Sequence, residues 1–383
     1  MNGAHGQIPY TQSAASLDVP PPYHFPGVNV NTFIWEMDVS LIKHYCDTYL
    51  NIGTPEERGY TYRPAVFWPY ATLLVLQYPV MISAAVGTDM PHEVPYCDRG
   101  VISQTEVFIA LPVVRYGRGP LGLLTESALE WALPFIVVGN PMSCVCGREM
   151  LGLGKLLAGI ECGQSTYPRS FRTHMTLPGW ANDKPDTMQE NLTILDITTG
   201  PTLPTFRKHS PSVESLATAL SSRDMGWLMG QMQSVSNMID QASMEMIPTE
   251  MRTIGLKQYR DAADPNRAVY QALTSCRSHY SNIRNFEFYD EKDVTIEFND
   301  EGSFHELLNL FFRLPKEPTG EKIKVDAQAA FKFEADIDFD QMRIIRNVPI
   351  QDRFGHYVTE GSEDLASPWF RPWRGFFAGR KGR

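Results

Sequence analysis

The sequence predicts an α+β fold in which antiparallel sheet dominates and helices flank it. Residues 286–298, 323–337 and 338–345 alternate apolar and polar side chains with a period of two, the sign of antiparallel strands with one wet face. Hydrophobic residues make up 43% of the chain and charged residues 20%, ordinary proportions for a globular protein with a large core. At 383 residues the chain is long for one domain and short for three. We read one domain over residues 28–350, between an extended tail at 1–27 and an aromatic, basic tail at 351–383.

Taken in order, residues 1–27 contain Val19-Pro20-Pro21-Pro22-Tyr23, which favours polyproline conformation. This tail either drapes over a neighbouring subunit or is disordered. Residues 28–37 read as a strand, and Asp38 caps a helix over 39–50 with Leu41, Ile42 and Tyr45 on one face. Residues 62–68 and 72–84 read as strands. Tyr60, Tyr62, Phe67, Trp68, Tyr70 and Tyr78 make this region dense in aromatics, which suits a core and also a pocket for a flat substrate. Residues 101–114 form an apolar strand that carries Glu106 on the face of Phe108 and Ala110. Such a carboxylate needs a partner or a raised pKa. It either pairs with an arginine such as Arg99 or serves as a general acid or base.

Residues 125–136 read as a helix capped by Thr125. Beyond 161, loops run to about 189 and a strand occupies 192–198. A proline-marked turn region covers 200–211, and 212–247 is helix-prone and rich in methionine, a residue that fills irregular core gaps. Asp264-Pro265-Asn266 caps a further helix to about 280. Residues 304–314 are apolar. The final stretch, 367–374, suits packing or subunit contact.

Residues 140–161 hold one lysine, Lys155, in an apolar run broken by glycines. Asn140 and Pro141 start a helix that ends before Gly152 and Gly154, and Leu156 and Leu157 continue as a strand or a second short helix. With Leu153, Leu156 and Leu157 around it, Lys155 either snorkels its ammonium to solvent or is dry enough to lose its proton. In the second case burial lowers the amine pKa, and a neutral amine forms a Schiff base with a ketone. Cys144 and Cys146 have the wrong spacing for a CxxC metal site and read as small helix residues.

The run Gly147-Arg148-Glu149-Met150-Leu151-Gly152-Leu153-Gly154-Lys155-Leu156 resembles the acetoacetate decarboxylase family pattern G-R-E-x-x-G-x-P-K-K. Thr105-Glu106 and Ile109-Ala110-Leu111-Pro112-Val113 resemble the family strand that carries an active-site glutamate. The resemblance covers roughly residues 100–165. It implies a mostly antiparallel, cone-like β-barrel with flanking helices, Lys155 as the Schiff-base residue and Glu106 as its acid–base partner. The family chain is shorter, which implies a helical insertion at about 201–285, as a lid or an oligomer contact. The sequence departs from the pattern in three places. Leu156 replaces the second lysine, Gly154 replaces the proline, and residues 32–38 offer Trp35 and Glu36 where the family has a carboxylate-binding arginine. Arg148 is either structural or substrate-binding. These departures point to a substrate larger than acetoacetate, such as a secondary-metabolite intermediate.

The net charge of −10 disfavours general nucleic-acid binding, which needs basic surface. No run of 18 apolar residues spans a membrane, residues 1–20 lack the apolar core of a secretory signal, and free thiols fit a reducing, cytoplasmic compartment. No nucleophile elbow, phosphate loop, zinc-protease motif or dinucleotide fingerprint is present, so no cofactor or metal is implied. Two readings remain: a lyase acting on a small-molecule keto acid or ketone by decarboxylation or aldol and dehydration chemistry through a lysine enamine, or a binding protein that keeps the barrel and pocket without the chemistry. Homo-oligomers are usual for the family.

Overall fold

Strand β1 (Tyr23–Glu36) lies between β3 (Tyr70–Ser83), reached through the short β2 (Tyr60–Pro64), and a late strand, β15 (Ala329–Phe339). The computed structural model describes residues 19–54, 60–66, 68–83, 101–118, 124–163, 168–178, 188–203, 250–264, 266–302, 304–347, 350–351 and 357–358. The helix-prone stretch 212–247, Phe67, Arg99, residues 1–18 and nearly all of 351–383 lie outside the described residues.

Between these lie β4 (Val101–Arg118), β5 (Leu124–Val138), β6 (Leu156–Leu157), β7 (Gly159–Cys162), β8 (Ser170–Pro178), β9 (Met188–Thr198) and β10 (Thr202–Leu203). Then come β11 (Glu250–Arg260), β12 (Ala268–Tyr289), β13 (Thr295–Asn299) and β14 (Lys322–Val325), with β16 (Arg343–Asn347) after β15. In the large sheet, pairing runs β4-β3-β1-β15-β12-β11-β5 and returns to β4, so these strands form a ring. All ring pairings are antiparallel except β5–β11. A second sheet, β14-β13-β9-β8-β7, covers part of the ring's outer face.

The two faces of the ring strands bury different clusters. Phe33, Leu73, Val75, Val107 and Ile109 pack outward against Phe171, Ile197 and Phe298 of the second sheet. The same cluster takes Ile42 of α1 (Val39–Tyr45). Their neighbours in sequence, Ile34, Leu74, Leu76 and Phe108, point into the ring and meet Phe333 and Ile337. Strands β1, β3 and β4 are therefore apolar on both faces, and each fully buried aliphatic side chain contributes about 1.5–3 kcal/mol. The expected single wet face holds for β15, where Phe331, Phe333, Ala335 and Ile337 are buried while Lys332, Glu334 and Asp336 are half-buried.

Asp38 caps α1 as expected, accepting from the Ser40 backbone N–H at 2.8 Å. Other expectations are corrected. Residues 125–136 are not a helix but most of β5. Pro134 would break a helix, and here it falls where the β4–β5 register shifts between Ile109 and Leu111, while Ile136, Val137 and Val138 suit a strand. The segment from Asp264 is not a helix start. Asp264 accepts from the Asn266 N–H in the turn from β11 to β12, because such side chains cap turns as readily as helices. Residues 250–285, read as part of a helical insertion, thus belong largely to two strands of the ring. The expected loop to 189 contains β8, with Phe171, Thr173 and Met175 buried on alternate positions.

Two long alternating runs are each two strands. Asp290 caps a short turn over Glu291–Asp293 that separates β12 from β13, and β14 and β15 lie in different sheets. The apolar run at 304 forms α3, a short helix over Phe304–Leu308, which follows α2 (Pro141–Cys146) in chain order. At the start of the chain, β1 begins at Tyr23, so Tyr23 and Phe25 belong to the core, 4% and 5% exposed, and not to an extended tail.

Candidate active site

The lysine stretch is pinned to β4 at its start and to β11 and β12 at its end. The Gly139 N–H donates to the Thr105 carbonyl at 3.0 Å. Asn140 accepts from the Met142 and Ser143 N–H groups while its own amide donates to the Ser103 carbonyl. Helix α2 (Pro141–Cys146) then widens into a π-type turn over Gly147–Leu151. Gly152 ends it at φ 72°, and an added Cβ there would meet the Lys257 backbone. The Thr274 hydroxyl donates to the Leu151 carbonyl at 2.8 Å, and the Tyr259 hydroxyl donates to that of Glu149 at 2.6 Å. After the turn, β6 pairs in parallel with the end of β5, Val137 beside Leu156. Leu156–Leu157 is thus the strand of the two alternatives.

This path turns Lys155 into the ring. Its side chain does not snorkel: the residue is 6% exposed, as is Glu106. Lys155 Nζ donates to Glu106 Oε2 at 2.6 Å and lies 3.4 Å from Ser143 Oγ. Glu106 is held from both sides of β4, opposite Leu76 on β3 and Val138 on β5, so strand pairing fixes the carboxylate against the amine. The alternation expected for β4 holds: Phe108 and Ala110 share the inner cluster, whereas Val107 and Ile109 face outward.

Beside the pair is a cavity of about 60 Å³. Its walls come from around the ring, including Tyr23, Tyr78, Phe108, Met251, Tyr280 and Leu153. Burial, and then the Glu106 charge, hold the Tyr78 phenol well above its usual range and push Tyr280 up to about 12. Both are neutral donors at physiological pH. Gln104, two residues before Glu106 on the same face, also lines the cavity. The arrangement is an amine paired with a carboxylate inside an apolar, partly phenolic hollow, groups that can attack a carbonyl and move protons.

By structure the chain is similar to acetoacetate decarboxylase-like enzymes. An acetoacetate decarboxylase from Legionella pneumophila is 11% identical, with 89% of this chain and 94% of that chain covered and a TM-score of 0.46. An enduracididine biosynthesis enzyme, MppR, complexed with pyruvate is 12% identical, with 87% and 94% covered and a TM-score of 0.45. An acetoacetate decarboxylase-like enzyme from Sphingomonas wittichii is 10% identical, with 86% and 95% covered and a TM-score of 0.45. No protein-family model and no curated protein sequence matches the chain.

Lys155 and Glu106 are brought together; the other expected site residues are not in the cavity. Trp35 points to the opposite face of β1, stacked on Phe312 at 6.5 Å. Glu36 is exposed in a separate shallow hollow with Asp38 and Lys324. Side chains alternate across a strand, so Ile34 faces the ring interior and Trp35 cannot. Arg148 donates from Nη1 to the Lys155 carbonyl at 3.0 Å and does not line the cavity, so its contact braces the lysine loop.

Sequence reasoning missed Gln104 and Ser143, which the period of β4 and the first turn of α2 place beside the pair. It also missed Tyr280, hidden in a segment read as helix. Among the described residues, no group of three His, Cys, Asp or Glu side chains is placed to hold a metal, and no helix is long and apolar enough to cross a membrane.

Proposed function

We propose that the protein is a Schiff-base-forming lyase, with Lys155 as nucleophile and Glu106 as proton carrier, acting on a ketone or keto acid. The observation that carries this reading is the 2.6 Å contact between Lys155 Nζ and Glu106 Oε2 at the wall of a cavity. The resemblance of residues 147–156 to the acetoacetate decarboxylase pattern agrees with it, and with a cone-like barrel as the finer description of the ring.

Glu106 takes a proton from the Lys155 ammonium, and the freed amine adds to the substrate carbonyl carbon. The carbinolamine oxygen is protonated and leaves as water, giving a protonated imine. This cation accepts the electron pair released when a carbon–carbon bond at the α carbon breaks; the leaving fragment is carbon dioxide from a carboxylate or, as the Glu106 carboxylate takes the β-hydroxyl proton, an aldehyde. The enamine is protonated at carbon, and water returns the amine and the ketone product. Glu106 is within reach of each transfer at nitrogen, and general acid–base catalysis of this kind contributes about 10²–10⁴-fold.

The cavity volume limits what fits beside Nζ. Met81 and Met251 line it, and their unbranched, flexible side chains are the parts of the wall that give way to a substrate larger than the carbonyl end.

Imine formation and hydrolysis exchange the carbonyl oxygen with solvent. The protein should therefore catalyse loss of an ¹⁸O label from acetone or a β-keto compound into water, and Lys155→Ala should reduce that rate to the uncatalysed background. Exchange that is unchanged in Lys155→Ala removes the lysine from the chemistry. Tight ligand binding without exchange in the native protein assigns it a binding role instead.

A further inference from the structure

The polar groups around the cavity are unevenly satisfied. The one cation among its described lining residues, Lys155, is already matched by Glu106. The phenols of Tyr78 and Tyr280 and the hydroxyls of Ser143, Thr253 and Ser278 are neutral. Gln104 is 8% exposed, lines the cavity, and its Oε1 has no hydrogen-bond partner among the described residues. Successive same-face residues on a strand stand about 6.5–7 Å apart, so Gln104 lies one small molecule's length from Glu106. A buried acceptor without a donor is costly, and a ligand that supplies the donor recovers that cost. A ligand carboxylate would instead place a second negative charge near Glu106 among apolar side chains, where an unpaired charge is strongly disfavoured.

We propose that the cavity selects an uncharged carbonyl compound carrying an O–H or N–H donor, such as a β-hydroxy ketone or β-keto amide, and that Gln104 Oε1 is the residue group that selects it. This rests on the Schiff-base reading and narrows it, because it disfavours substrates that enter as carboxylates.

The test uses the full chain and cyanoborohydride trapping at Lys155, read by peptide mass with two matched pairs of probes. Acetoacetamide and acetoacetate have the same shape and differ in charge. 4-Hydroxy-2-butanone and 2-pentanone have the same size and differ in the donor. We expect acetoacetamide to be trapped at least about tenfold faster than acetoacetate, a difference of about 1.4 kcal/mol. The hydroxy ketone should also be trapped faster than 2-pentanone by at least about fivefold.

In Gln104→Leu, or in Gln104→Met if the first variant does not fold, the donor preference should shrink to within about twofold while 2-pentanone is still trapped. Equal trapping within the pairs, faster trapping of acetoacetate, or a donor preference unchanged by the substitutions overturns the proposal and leaves Lys155 as a Schiff-base residue. Absence of any adduct at Lys155 removes both.

Discussion

The Lys155 side chain lies across the Cα of Gly147: a methyl group placed on that glycine would sit 2.4 Å from Lys155 Cδ and 2.8 Å from Cε. Gly147 does not have a positive φ; it adopts ordinary helical angles, φ −60° and ψ −42°. The position therefore needs glycine for space alone. Gly147→Ala should push the amine off Glu106, cost about 1–3 kcal/mol of stability as overpacking does, and lower Lys155 trapping at least about tenfold. Gly154 is the matched control, since nothing lies within 4 Å of a Cβ there. Gly154→Ala should keep the trapping rate and stabilise the fold by about 0.4–1 kcal/mol through the unfolded chain. Denaturant melts and trapping rates on the two variants separate the effects.

Glu106→Gln keeps the size of the side chain and removes its capacity to take the proton of Lys155. The rate of imine formation should fall by about 10²-fold or more, while the affinity for an unreactive alcohol analogue of the substrate changes little. A rate within about twofold of the native protein would take Glu106 out of the proton path.

Asp300, at the start of the segment leading into α3, accepts from the N–H and hydroxyl of Thr319, both at 2.9 Å, and pairs with His305. Burial acts to raise its pKa, but the Thr319 and His305 hydrogen bonds outweigh burial and hold it below the ordinary 3.8. A carboxylate depressed in the folded state adds stability above its unfolded pKa, and that stability is lost as the pH falls through the folded value. Asp300→Asn should therefore cost about 1.5–3 kcal/mol at pH 7, and the gap to the native protein should close as the pH drops below about 3.8. Urea melts between pH 7 and pH 2.5 measure this, and a constant gap would contradict it.

Glu130, 1% exposed on β5, should show the opposite slope. It accepts from the Tyr62 hydroxyl at 2.7 Å and lies 3.3 Å from Arg115, yet burial raises its pKa above 4.5 despite the Arg115 charge. The folded state then holds a proton that the unfolded state releases, so the contribution of Glu130 declines as the pH rises from about 4.5 through the folded value. Glu130→Gln should compare more favourably with the native protein at pH 8 than at pH 4. Tyr62→Phe, which withdraws a donor from this carboxyl, should destabilise by about 1–3 kcal/mol.

Much of the candidate site was legible because two local rules act directly on it. Period-two alternation put Glu106 on an inner face with Phe108, and the cap at Asn140 with the glycine stop at Gly152 located the turn that delivers Lys155. The rest depended on partners far away in sequence. β5 carries a helix-like cap at Thr125 and good helix formers in its first half, and pairing with β4 and β11 makes that half a strand. Asp264 gives the same signal for a turn as for a helix, so Tyr280 was hidden from the cavity. Trp35 is one residue out of phase with the inner face of β1, a parity set by the ring and not by β1 alone. Glu36 has the parity of Ile34 but ends the strand, whereas the β1 residues at the cavity, Tyr23 and Phe25, lie at its start. Tyr23 looked like tail because three prolines precede it, whereas its hydroxyl donates back to the Val19 carbonyl at 2.6 Å and fixes the chain against the core.

The most direct test of the central claim is borohydride reduction of the native protein with a candidate ketone, followed by mass analysis of the peptide containing Lys155. The account predicts a stable secondary amine on Lys155, absent without the ketone and much reduced in Glu106→Gln. Recovery of unmodified Lys155 under conditions where the protein turns the ketone over, together with full turnover by Lys155→Ala, would contradict it.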